Sequence, residues 1–64
     1  MTSHTAPLSI PQLEQVYDSL AQAIDQAGPE RTELFLTKLC LLMANAIGDD
    51  ARASELMQVA LRDL

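Results

Sequence analysis

The sequence predicts an all-α protein, a compact three-helix unit with short connections that pairs into a dimeric helical bundle. Three observations lead there. Apolar residues recur at three-and-four spacing in the first and last thirds of the chain. Gly28-Pro29 and Gly48-Asp49 divide it into three segments of helical length. The middle segment is apolar on nearly every side, and a helix of that kind needs cover on nearly every side.

The first helix has a defined start. Ser9-Ile10-Pro11-Gln12 matches a capping box, with Ser9 as N-cap and Gln12 at the third helical position. Leu8 and Leu13 are spaced for a hydrophobic staple across it. Pro11 falls in the first turn, where a missing N–H costs nothing. Ile10, Leu13, Tyr17, Leu20, Ile24 and Ala27 form one stripe, and Val16 and Ala23 widen it. Gly28 ends this helix through a left-handed cap with a single hydrogen bond.

Pro29 presets the next turn, so the second helix is expected from about Pro29 to Ile47, with Gly48 as its stop. Glu30 and Glu33 suit its positive N-terminus. Asp49 or Asp50 caps the third helix, which runs to near Leu64 with a stripe of Ala53, Met57, Ala60 and Leu64 flanked by Leu56 and Leu61. Connections of a few residues favour antiparallel neighbours. Residues 1–7 are expected to be a flexible tail, and residues 8–64 the domain.

From Leu8 onward the chain resembles a bacterial family of short helical proteins catalogued only as a domain of unknown function. The segments that carry the resemblance are Leu13 to Leu20 (LEQVYDSL), Gly28 to Leu36 (GPERTELFL), the run to Ile47-Gly48-Asp49, and Ala60 to Leu64 (ALRDL). The resemblance implies the three-helix fold. It implies no activity and no functional residue.

Size and charge narrow the function. Ordering a chain costs roughly 1.5 kcal/mol per residue, and burial in so small a domain barely matches it. Small domains add disulfides, metals or partners. The 64 residues hold one cysteine and one histidine, which excludes an internal disulfide and disfavours a metal site. Association remains, most simply as a homodimer. Nine acidic residues oppose four basic ones for a net charge of −5. Nucleic acids and anionic membranes recruit clustered Lys and Arg, so neither is expected as a partner. A larger protein with a basic docking surface fits better, and plain solubility explains the charge as well. The apolar run of the second helix is too short to span a bilayer and is broken by Thr37, Lys38 and Asn45. The N-terminus carries no apolar signal core. An unpaired Cys40 fits a reducing compartment, so a soluble cytoplasmic protein is expected.

No constellation of residues points to catalysis, and no cofactor is expected. Asp18-Ser19-Leu20 matches the short motif at which acyl carrier proteins receive phosphopantetheine. In carriers that serine opens a helix, whereas Ser19 falls in mid-helix. Cys40 lies in the most apolar run, which favours a small core residue over a reactive thiol. His4 stands in the tail without a partner. Asp49-Asp50 reads as a helix cap, since a hard cation needs more oxygens than this short loop holds. Glu14, Asp18 and Asp25 form an acidic stripe on the first helix, either solvated or facing a basic partner. Gln12, Gln15, Ser19, Gln22 and Gln26 form a neutral polar stripe beside it.

The sharpest signal lies on the second helix. At about 100° per residue, Leu34 and Leu41 fall within the arc of Glu30, Thr37, Lys38 and Asn45. The opposite faces, with Phe35, Leu39, Leu42 and Met43, suffice for two neighbouring helices. Leu34 and Leu41 are therefore the expected subunit contact, against simple exposure or cover within the chain, with Lys38 at the rim and Val59 of the third helix as the alternative face. The functional expectation is a self-associating protein–protein interaction or accessory module, not an enzyme. The alternative is a small-molecule or acyl-group carrier, either through Ser19 or by holding an apolar ligand between helices.

Overall fold

Ser9 and Gln12 start the first helix as the sequence dictates. The Gln12 N–H donates to Ser9 Oγ at 3.3 Å, and the Ser9 N–H donates to Gln12 Oε1 at 2.8 Å. Two N–H groups that lie ahead of the helical ladder are satisfied by this exchange. The structure is a computed structural model and describes residues 7–62 and Leu64. Apart from Pro7, the expected tail lies outside the described residues, as does His4. Three helices follow in order: α1 (Ile10–Ala27), α2 (Thr32–Ile47) and α3 (Asp50–Arg62). No strand occurs among the described residues.

The chain divides into two units, Met1–Thr32 with α1 and Glu33–Leu64 with nearly all of α2 and all of α3. In the first unit, α1 ends at Gly28, whose N–H donates to the Ile24 carbonyl at 3.0 Å. That single bond is the expected one. The backbone around it is not the expected left-handed one. Gly28 has φ +83° but ψ 159°, an extended ψ open to glycine. Pro29 supplies the reason, since a proline ring drives the preceding residue toward high ψ.

The second helix also starts later than its sequence suggests, at Thr32 rather than Pro29. The Arg31 N–H donates to the Gly28 carbonyl at 3.0 Å, a spacing of three that closes a turn. The Thr32 hydroxyl donates to the same carbonyl at 2.9 Å. Gly28 thus anchors a turn over residues 29–31 before the helical ladder begins.

In the second unit, Gly48 has φ +74°, and its N–H donates to the Ala44 carbonyl at 3.0 Å. Asp49 rather than Asp50 caps α3: its Oδ1 accepts the Arg52 N–H at 3.1 Å, while its carbonyl accepts the Ala53 N–H at 3.0 Å. A two-residue connection reverses the chain, and α2 and α3 share one groove from Ile47 and Ala53 at the turn out to Leu36 and Ala60. They form an antiparallel hairpin.

Ala53 is the one buried residue among those described. This corrects the expectation that the α2 faces carrying Leu42 and Met43 are covered, because both side chains are exposed. Phe35 and Leu39 are half-buried. A lone buried alanine contributes little hydrophobic free energy, since the favourable term scales with apolar area removed from water.

Candidate functional site

The α2–α3 hairpin carries an apolar groove of about 310 Å³. Its wall on α2 is built by residues three, four and seven apart, from Leu36 through Leu39, Cys40, Met43 and Ala44 to Ile47, which helical geometry stacks on one side. The α3 wall follows the same rule with Ala53, Leu56, Met57 and Ala60. Small residues sit along this seam: Cys40 and Ala44 on α2, Ala53 and Ala60 on α3. Their short side chains let a neighbour come close to the backbone beside the longer Leu and Met chains. The lining is hydrocarbon and sulfur throughout. It presents no base to activate the Cys40 thiol.

Cys40 itself is exposed on this wall. Its expected place as a buried core residue is therefore corrected. A helix with apolar residues on every side does not bury all of them when it has one neighbour in its own unit.

The residues singled out from sequence lie elsewhere on the hairpin. Leu34 and Leu41 are 59% and 63% exposed, on the α2 side that also carries Thr37, Lys38 and Asn45. Seven residues separate them, or about 10 Å along the helix axis. Lys38 is exposed between them, and Val59 is exposed on α3. Near Val59, Arg52 Nη1 and Glu55 Oε1 form an ion pair of 2.8 Å on the solvent side. Such an exposed pair contributes little. By helical angle, Leu41 lies about 130° from the centre of the groove wall. The hairpin therefore offers two distinct apolar surfaces. The Leu34–Leu41 surface is marked in the sequence by two leucines within a polar arc. The groove carries a different signal, small residues at Cys40 and Ala44 and at Ala53 and Ala60 with Leu and Met beside them, which the uniform apolarity of α2 hides.

In the first unit, the N-terminal half of the α1 stripe is open. Ile10, Leu13, Val16 and Tyr17 are exposed, while Leu20, Ala23, Ile24 and Ala27 are partly covered. Leu8 lines a shallow hollow with Pro11, Gln12, Gln15 and Val16. Glu14, Asp18 and Asp25 are exposed on one side of α1, and Ser19 is exposed in its interior.

Among the described residues, no helix is long and apolar enough to cross a membrane. Comparison with protein-family models, with curated proteins and with solved structures finds no match.

Proposed function

We propose that this chain is a self-associating helical interaction module, a homodimer that serves as an accessory to a larger protein rather than as an enzyme. One observation carries the reading: the hairpin of α2 and α3 exposes large apolar side chains on several sides, with Leu34, Leu41, Leu42, Met43 and Leu61 each at least half exposed. Single exposed leucines are ordinary, but this many large apolar side chains exposed on so small a unit suit an interaction surface. Leu34 and Leu41, with Lys38 at the rim and Val59 on α3, form one candidate contact, and the groove forms a second. The acidic side of α1, with Glu14, Asp18 and Asp25, suits a basic surface on the larger partner and neither nucleic acid nor anionic lipid. An unpaired thiol at Cys40 fits a reducing compartment, consistent with a cytoplasmic protein.

The groove also bears on the small-molecule alternative. Its volume lies at the lower end of ligand pockets, yet such pockets carry a few placed polar groups that orient the ligand. This lining offers only the Cys40 sulfur and the thioethers of Met43 and Met57. It suits an apolar side-chain surface better than a ligand with a polar head. Sedimentation equilibrium tests the reading. At micromolar concentration the expected mass is twice that of the 7.0 kDa chain. A monomer mass with cooperative unfolding overturns it.

A further inference from the structure

We propose that the groove between α2 and α3 receives α1 of a second copy, and that the two copies exchange this helix reciprocally. The proposal rests on the self-association reading and specifies its geometry. The groove is concave, so its occupant is convex: two concave grooves facing each other would leave a void, whereas a helix ridge fills one. Its volume of about 310 Å³ is about twice that of a cavity that accepts benzene, so it holds roughly two large side chains. The chain supplies a matching ridge. Leu13 and Tyr17 stand one turn apart on α1, flanked by Ile10 and Val16, and all four are exposed. The ridge from Ile10 to Tyr17 is about 10 Å long, and the α2 wall from Leu36 to Ile47 about 16 Å, so the groove accommodates it. Cys40, Ala44, Ala53 and Ala60 leave room for close approach.

Area selects reciprocal exchange over either surface alone. Leu36, Met43, Ile47, Leu56 and Met57 are 39–50% exposed. They leave on the order of 400 Å² of apolar surface, about half of the roughly 800 Å² that each partner buries in a stable complex. Ile10, Leu13, Val16 and Tyr17, at 43–70% exposure, leave a similar area. A copy that both donates α1 and accepts a partner's α1 buries the two together and reaches the required size. The exchange is isologous, so it closes at two copies and leaves neither surface open to further growth.

The single cysteine of the chain makes the test specific for contact between copies. Leu13→Cys and Tyr17→Cys are each made in a Cys40→Ala background, so every chain keeps one thiol. Each variant is mixed with the wild-type chain at a concentration where sedimentation gives the doubled mass, then oxidised with diamide. A disulfide between variant and wild type joins α1 of one copy to the groove of another, and its mass differs from that of either homodimer. Asp18→Cys in the same background, on the acidic side of α1 and more than about 100° around the helix from the centre of the ridge, is the reference. The expected result is at least ten times more mixed disulfide with the Leu13 or the Tyr17 variant than with the Asp18 variant. Equal yields from all three, with the doubled mass retained, overturn the exchange and leave self-association through another face. A monomer mass for the wild-type chain removes the self-association reading itself, and the exchange with it.

Discussion

Cys40 of α2 and Ala53 of α3 line the same groove from opposite helices, yet Ala53 is buried and Cys40 is exposed. The alanine is closed to solvent, while the thiol is open to whatever covers the groove. A thiol reagent therefore reports on cover. In a dimer that seals the groove, Cys40 should react slowly at concentrations well above dissociation. It should speed up on dilution to the rate of the unfolded chain. Reaction at the fast rate at every concentration would show the groove open in the assembled protein and place the contact elsewhere.

Ala53 supplies a packing test. A leucine there adds volume where α3 meets α2, and overpacking of this kind costs about 1–3 kcal/mol. Ala51 lies on the exposed side of α3, two residues before it. Ala53→Leu should lower the melting temperature by several degrees, with Ala51→Leu near wild type. Equal melting of the two variants would show that α2 and α3 do not pack tightly at this point.

The helix boundaries give two smaller tests. Removing the Ser9 hydroxyl deletes the acceptor for the Gln12 N–H, and a lost N-cap costs about 1 kcal/mol. Ser9→Ala should destabilise α1 by that amount, while Ser9→Asp should hold near wild type; no change in Ser9→Ala would mean water replaces the cap without loss.

Gly48→Ala isolates a backbone effect. Apart from Gly48 itself and its two chain neighbours, nothing lies within 4 Å of where its Cβ would stand, so the cost comes from φ +74°. About 1–2 kcal/mol is expected for a left-handed L-residue. Thermal unfolding measures it, and a neutral Gly48→Ala would mean the turn relaxes to another conformation.

The helices were legible in the sequence because their signals are local. Ser9 and Gln12 sit three apart, Asp49 precedes the α3 stripe, and Gly28 and Gly48 punctuate the chain. Each acts within a few residues of itself. The start of α2 departs from its sequence signal for a related reason. Pro29 is compatible with a first helical turn, but it also fixes the ψ of Gly28, and the Gly28 carbonyl then holds Arg31 and Thr32 in a turn. Burial was not legible. In α2 nearly every position is apolar, so periodicity does not say which of Cys40, Leu42 and Met43 meets a neighbour. That depends on how far α3 covers α2, and α3 is short and rich in alanine. The two leucines in a polar arc stood out by contrast, whereas the groove, apolar among apolar residues, did not.

The two apolar surfaces of the hairpin make opposite predictions for charge substitutions. A carboxylate placed in a desolvated contact lacks a partner and should cost several kcal/mol of association. The same change at an exposed position shifts stability by about 0.5 kcal/mol or less. Leu34→Glu and Leu41→Glu test the polar-arc patch, Met43→Glu tests the groove, and Lys38→Glu is the control on the same helix. Sedimentation mass and melting temperature are compared for all four. If exchange of α1 through the groove holds the dimer, Met43→Glu should fall to the monomer mass, while Leu34→Glu, Leu41→Glu and Lys38→Glu keep the doubled mass. Dissociation by both leucine variants, with Met43→Glu intact, would move the interface to the Leu34–Leu41 face. Dissociation by all three with Lys38→Glu intact would mean that the hairpin is covered on both sides, which a pair of chains achieves only if each surface meets a different part of the partner. The doubled mass in all four would leave the Val59 side of α3 as the face to test next, with Val59→Glu set against Glu55→Gln, which removes a charge beside it without adding one.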